Sequence, residues 1–302
     1  MSEVARQLTS GRPAIWLELS PPAGIEMEPL LRKLDALPAG IGAINLTDNA
    51  MGRVKLSSLV FGIAAKQRLG IPLVLNVSSR DRNLNALRSD LLAAAAYDVE
   101  GVVALRGDRI GPEAAREPHL DAMDLLRAVD EIKIQIARRH GAERAERVLY
   151  PGVVTNPYRA DLARELDLLA RKAAAGARFA ITQPLFDAEH SLRFVEHVRA
   201  LGIAPMIGII TVRNAAMARY LKGGVRELKP AAHHLALYEG MSDEQVRELA
   251  FERNLKLIAA LRPHVAGFVI MSGGEPSLAI RLAAQAADFN IPIPAAGLAE
   301  SL

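Results

Sequence analysis

A lone carboxylic acid, Glu18, interrupts the apolar run Ala14-Ile15-Trp16-Leu17-Glu18-Leu19-Ser20, which ends at Pro21-Pro22. An acid inside a strand that reads as buried must be paired, protonated or used, because stripping water from its charge is costly. Two similar runs end in polar groups: Arg106-Gly107-Asp108 follows Val102-Val103-Ala104-Leu105, and Gln183 follows Phe179-Ala180-Ile181-Thr182. Polar side chains gathered at the carboxyl ends of several strands mark a barrel enzyme's active site. The plain alternative is a buried salt bridge inside the barrel, for example Glu18 with Arg106.

Further polar residues stand at equivalent heights. Thr47, Asp48 and Asn49 end a second run, Asn76, Ser78 and Ser79 a third, and Asn156 follows a fifth. Taken singly, each reads first as a loop cap or turn former. Glu165 and Lys172 lie seven residues apart, on roughly one helical face, where they either serve the helix dipole or hold a polar cofactor. None of the seven histidines ends a strand or has metal-ligand spacing, so no metal site is expected.

The elements that would position these groups alternate from end to end. Strands are predicted at 14–20, 43–47, 72–78, 101–106, 147–154, 178–184, 204–211 and 265–272. Helical patterns cover 28–37, 56–69, 83–97, 122–139, 161–175, 189–201, 215–221 with 243–261, and 276–287. Strand–helix units repeated this way, with no linker or low-complexity tract, predict one (β/α)₈ TIM barrel spanning residues 1–302 as a single catalytic domain. An open Rossmann sheet is disfavoured, since no GxGxxG follows any strand. Alternation places Trp16, Glu18 and Ser20 on one face and Ile15, Leu17 and Leu19 on the other. The aliphatic set suits the helix side, which aims Glu18 into the barrel.

Half of the 302 residues are hydrophobic, ample for a large core. The chain has no cysteine, hence no disulfide framework, thiolate nucleophile or Cys-ligated metal. A net charge of +3 and 4% aromatic residues suit an anionic small ligand and call for no nucleic-acid partner. The apolar runs are too short to span a membrane, and the first residues are not a secretory signal. A soluble cytoplasmic protein is the expectation, with a homo-oligomer or a place in a complex left open.

The motifs Leu17-Glu18-Leu19-Ser20-Pro21-Pro22, Asp81-Arg82-Asn83-Leu84-Asn85-Ala86-Leu87, Ala104-Leu105-Arg106-Gly107-Asp108 and Ala180-Ile181-Thr182-Gln183-Pro184-Leu185-Phe186-Asp187 occur in this order. Together with Arg171-Lys172 and Ala175-Gly176-Ala177, the sequence resembles the methylenetetrahydrofolate reductase family over nearly its whole length. The wording is most similar to the reductase half of homocysteine methyltransferase–reductase fusions. The resemblance implies a barrel flavoprotein interconverting 5,10-methylenetetrahydrofolate and 5-methyltetrahydrofolate, with FAD as cofactor and NAD(P)H as electron partner. It implies Glu18 as general acid, Asp108 between flavin and pterin, and Gln183 on whichever ring stacks against the flavin. Glu18, Asp108 and Gln183 would bind substrate. Thr47, Asp48, Ala50, Asn76, Arg106, Gly107, Asp108, Ala122, Asn156, Glu165 and Lys172 would surround the cofactor. Departures concentrate on that wall: Asn76 stands for a histidine, Gly152 and Asn156 for a tyrosine and a histidine, Leu168 for a polar contact and Met217 for a glutamine. The run Gly267–Gly273 lacks the aromatic residue and the arginine that many members place there against folate or nicotinamide, and Arg213 is a candidate substitute for that arginine. These departures keep open a flavin-independent reductase using NAD(P)H directly, and a non-redox folate-binding barrel subunit. An aldolase-like lyase is disfavoured, because no lysine falls in a predicted strand.

Overall fold

Side chains alternate between an inner and an outer face along each strand, and burial is nearly continuous because both faces are largely apolar, as parallel strands covered by helices require. The computed structural model describes residues 1–80, 82–108 and 120–288. Its strands are β1 (Ala14–Leu19), β2 (Ala43–Leu46), β3 (Leu73–Ser78), β4 (Gly101–Leu105), β5 (Tyr150–Thr155), β6 (Phe179–Thr182), β7 (Ala204–Ile210) and β8 (Gly267–Met271). They run parallel in sequence order, and β8 closes on β1 with Ala14 opposite Gly267 and Glu18 opposite Met271. The fold is a (β/α)₈ TIM barrel, as the alternation predicts.

The described helices are α1 (Glu3–Thr9), α2 (Glu28–Leu34), α3 (Ser58–Leu69), α4 (Leu84–Ala96), α5 (Ala122–His140), α6 (Ala142–Arg147), α7 (Leu162–Ala174), α8 (Ala188–Ala200), α9 (Ala215–Gly224), α10 (Ala232–Ala236), α11 (Asp243–Leu261) and α12 (Pro276–Ala287). Side-chain caps set many of their starts: Asn83 accepts from the Ala86 amide, Asp187 from that of His190 and Asn214 from that of Met217. Asn83 is the N-cap of α4, while Asp81 and His119 lie outside the described residues.

Two apolar layers result. Ile15, Leu17 and Leu19 join the shell between strands and helices. Trp16, Val74, Val103, Phe179, Ile181, Met206 and Val269 fill the barrel's interior. Helix α1, which no sequence pattern marked, closes the lower end by adding Val4 and Leu8 to that interior. Its Gln7 accepts the Trp16 Nε1–H at 2.9 Å and donates to the Gly42 carbonyl at 2.9 Å, so the one buried indole is satisfied. No described helix is long and apolar enough to cross a membrane.

Candidate active site

Three consecutive strands place a polar side chain on the inner face near its upper end. Glu18 shares parity with Trp16, Asn45 with Ala43, and Asn76 with Val74, all three reference residues being interior. Glu18 pairs with Asn45 in register, and Asn45 with Val74, so Asn76 stands two residues farther up β3. The interior cluster is otherwise lined toward the top by Ile181, Leu105, Val154 and Met271. The mouth thus has one polar arc and one apolar arc.

Glu18 Oε2 accepts from Asn45 Nδ2 at 3.0 Å, and Asn45 is the carboxyl's one hydrogen-bond partner among the described residues. The salt bridge to Arg106 weighed from the sequence is not what holds it. The half-buried carboxyl keeps some accessible surface at the barrel's upper end, yet protein packs closely around it. Burial pushes its pKa from 4.5 to about 7, partly opposed by the Asn45 hydrogen bond. Asn45 is fully buried, and neither its Oδ1 nor that of Asn76 has a hydrogen-bond partner among the described residues. Buried carbonyl oxygens are seldom left unpaired, and each such case calls for a reason. Sequence reasoning named Asn76 but passed over Asn45, although a polar residue inside Ala43-Ile44-Asn45-Leu46 carries the same signal as Glu18.

The rim loops are knitted together above this arc. Strand β4 ends at Leu105, and Gly107 turns the chain at a φ of +92°. A Cβ at Gly107 would run into Ser78 Oγ, so glycine is required there on two counts. Arg106 and Asp108 therefore lie on an exposed loop rather than on a strand face. Asp108 Oδ2 accepts from the Met51 amide at 2.6 Å, and its carbonyl accepts from Arg80 at 2.8 Å. That bond fixes the short turn Ala50–Gly52, in which Asn49 and Met51 both adopt positive φ. Thr47 shares a 2.8 Å hydrogen bond with Ser20. Asp48 accepts from the Ser78 amide at 2.8 Å and pairs with Arg82 at 2.5 Å, while Arg82 also reaches Asp90.

A second cluster braces β5 against α7. Glu165 is buried and accepts from Thr155 Oγ1 at 2.8 Å, from the Asn156 amide at 2.9 Å and from Arg159 at 2.9 Å. Asn156 Oδ1 in turn accepts from the Tyr158 amide. Lys172, buried two helical turns along the same face, donates to the Val154 carbonyl at 2.7 Å, and burial lowers its pKa against the pull of Glu165. Ala122 is buried in the first turn of α5. Gln183 follows β6 directly; its amide N–H continues the ladder to Thr155, and its half-buried side chain makes no hydrogen bond among the described residues.

Two of the departures have a packing cause. Gly152 points into the barrel, where a Cβ would run into the Phe179 ring; that ring stacks on Tyr150 and meets Trp16 edge-on. The bulk absent at 152 is supplied from the neighbouring strand. After β8, Met217 covers Gly273, and Arg213 reaches across to donate to the Gly273 carbonyl. Thr47, Asp48, Asn156 and Glu165 thus direct polar atoms at protein partners. Glu18, Asn76 and Gln183 retain polar atoms with none among the described residues.

A closed parallel barrel that sets a buried acid at the end of its first strand, beside side-chain amides with no partner among the described residues, has the architecture of a TIM-barrel enzyme. The family model for methylenetetrahydrofolate reductase matches residues 3–272, and the chain belongs to this family of oxidoreductases. It is 29% identical over 249 residues to 5,10-methylenetetrahydrofolate reductase of Salmonella typhimurium, covering 79% of this chain and 78% of that protein. The Escherichia coli K12 protein of the same name is 28% identical over 243 residues, covering 78% and 76%. Among solved structures, an uncharacterized Clostridium thermocellum protein that binds two copies of 5-methyl-5,6,7,8-tetrahydrofolic acid superposes with a TM-score of 0.64 at 12% identity, covering 95% of this chain and 99% of that one. Tryptophan synthase from M. tuberculosis gives 0.53 at 13% identity, covering 95% and 98%. Both likenesses are of fold.

Proposed function

We propose that this protein interconverts 5,10-methylenetetrahydrofolate and 5-methyltetrahydrofolate, with Glu18 as the proton donor in the reducing direction. The observation that carries the reading is the Glu18 carboxyl, unpaired with any cation and holding its proton to about pH 7, at the mouth of the barrel. In the reducing direction Glu18 gives its proton to N10 of the folate. The bond from N10 to the bridging carbon then breaks, leaving an iminium between that carbon and N5. A hydride added to the carbon completes the N5-methyl group. An acid whose pKa lies near the working pH is suited to this step, since it is protonated yet willing to release. The apolar arc of Leu105, Val154, Ile181 and Met271 suits the flat faces of a pteridine, and the half-buried side-chain amide of Gln183 suits its polar edge.

No side chain donates a hydride, so a redox cofactor supplies it: a reduced flavin, or reduced nicotinamide acting directly. The buried Oδ1 of Asn76 would accept from the N–H edge of a flavin or from the carboxamide of a nicotinamide, and Lys172 at the end of β5 and Arg106 on the loop after β4 would hold the cofactor's polar parts. The engagement of Asp48, Asn156 and Glu165 with protein partners favours the flavin-independent form. Absorbance of the freshly purified protein in the flavin bands separates the two forms. Purified protein given FAD and NAD(P)H, or methyltetrahydrofolate and an artificial acceptor, is expected to exchange reducing equivalents with the folate. Tight folate binding with no exchange under any of these conditions would replace the redox reading with the folate-binding one.

A further inference from the structure

We propose that Asn45 is a positioning residue that decides which oxygen of Glu18 carries the transferred proton, an inference that rests on the reading of Glu18 as the acid. The two side chains are register partners on adjacent strands, and Asn45 Nδ2 donates to Oε2 at 3.0 Å. An oxygen that receives an N–H serves as the carbonyl oxygen of the neutral acid, so the acid's own hydrogen resides on Oε1. Oε1 has no protein partner among the described residues and keeps accessible surface, which makes it the oxygen facing the mouth. When the proton leaves, the same N–H remains on Oε2, now half of a carboxylate, so the carboxyl keeps its orientation through the step.

The unpaired Oδ1 of Asn45 shows what the reverse arrangement would do. Turned end for end, the amide would set its carbonyl against Oε2 and draw the acid's hydrogen into the wall, away from any ligand. Either orientation leaves one buried polar atom of a fully buried side chain without a partner. Such a group costs stability, and a leucine of similar shape would avoid the cost. Retaining an asparagine there is explained by what its donor does for Glu18. Met271, the facing residue on β8, is not titratable, and no charged group among the described residues contributes to the proton affinity of Glu18. Burial raises that affinity, and the hydrogen bond from Asn45 is what opposes it.

The test is to follow the Glu18 carboxyl carbon by ¹³C NMR across pH in the full-length protein, its signal assigned by its loss in Glu18→Gln. The wild type is compared with Asn45→Leu and with the isosteric Asn45→Asp. With the donor removed, Asn45→Leu is expected to titrate about one pH unit higher at Glu18. Its kcat should fall about tenfold or more, and its KM for methylenetetrahydrofolate should change little. Asn45→Asp, should the leucine variant not fold, is expected to titrate in two coupled steps, the upper one above the wild-type midpoint. A Glu18 midpoint unmoved in the variant examined overturns the role of Asn45, whatever happens to its melting temperature. If Glu18→Gln itself retains turnover, the acid assignment fails first. If that variant is inactive while the midpoint stays fixed, only the positioning role fails.

Discussion

At the scale of single residues, the chemistry rests on how far a carboxyl can be stripped of water without being given a counter-charge. Glu18 meets that condition with one neutral donor beside it. Glu18→Gln keeps the shape and removes the acid, so folate binding should survive while turnover drops by about a hundredfold or more in steady-state assays. The same carboxyl links stability to pH. Its pKa is raised from 4.5 to about 7, so the folded state holds the proton more tightly than the unfolded chain. That contribution is fully present below about pH 4.5 and is lost as pH rises through about 7. Glu18→Gln is therefore expected to melt higher than wild type at pH 8 and to lose that advantage at pH 4. Glu18 was legible because a charge in an apolar run has few bland explanations. Asn45, its partner, went unread because an amide in a four-residue strand resembles a strand-end polar residue until register sets it opposite the acid.

At the scale of elements, alternation located every strand to within a few residues, because parallel strands covered on both faces leave long apolar signatures. Their ends were harder. The ladder of β4 stops at Leu105 and Gly107 turns the backbone, so Arg106 leaves the strand predicted over 101–106 and Asp108 follows it onto the rim loop. Several residues resembling cofactor contacts also serve as joints between elements. Asp48 bridges the end of β2 to Ser78 and Arg82, and Glu165 binds α7 to the end of β5. Hydrogen-bond partners twenty or thirty positions away cannot be read from spacing. If Asp48 is chiefly such a joint, Asp48→Asn should cost about 2–3 kcal/mol in denaturant unfolding, because Arg82 loses a buried counter-ion. Folate affinity, measured calorimetrically at a temperature where the variant is folded, should stay within about twofold, the scatter expected of a residue outside the binding surface.

At the scale of the whole molecule, barrel closure turns eight short strands into a container with a filled bottom and a polar-sided mouth. The filling is cooperative across strands: Phe179 occupies the space above Gly152, and Trp16 is held by Gln7 from outside the barrel. Gly152→Ala should therefore lower the melting temperature, as an added methyl in a packed interior typically costs about 1–3 kcal/mol. Gln7→Leu should cost about 1–3 kcal/mol by leaving the indole N–H without an acceptor. Neither change lies at the mouth, so the pH dependence of turnover should keep its midpoint in both. Helix α1 escaped the sequence reading because seven residues with two apolar anchors are too few to show a helical period.

The most direct measurement is single-turnover conversion of 5,10-methylenetetrahydrofolate across pH, with wild type and Glu18→Gln run side by side under saturating reductant. Wild type is expected to react fastest below about pH 7 and to slow as Glu18 gives up its proton, while Glu18→Gln reacts slowly and without that limb. Equal rates, or the same limb in both proteins, would mean that the proton comes from elsewhere.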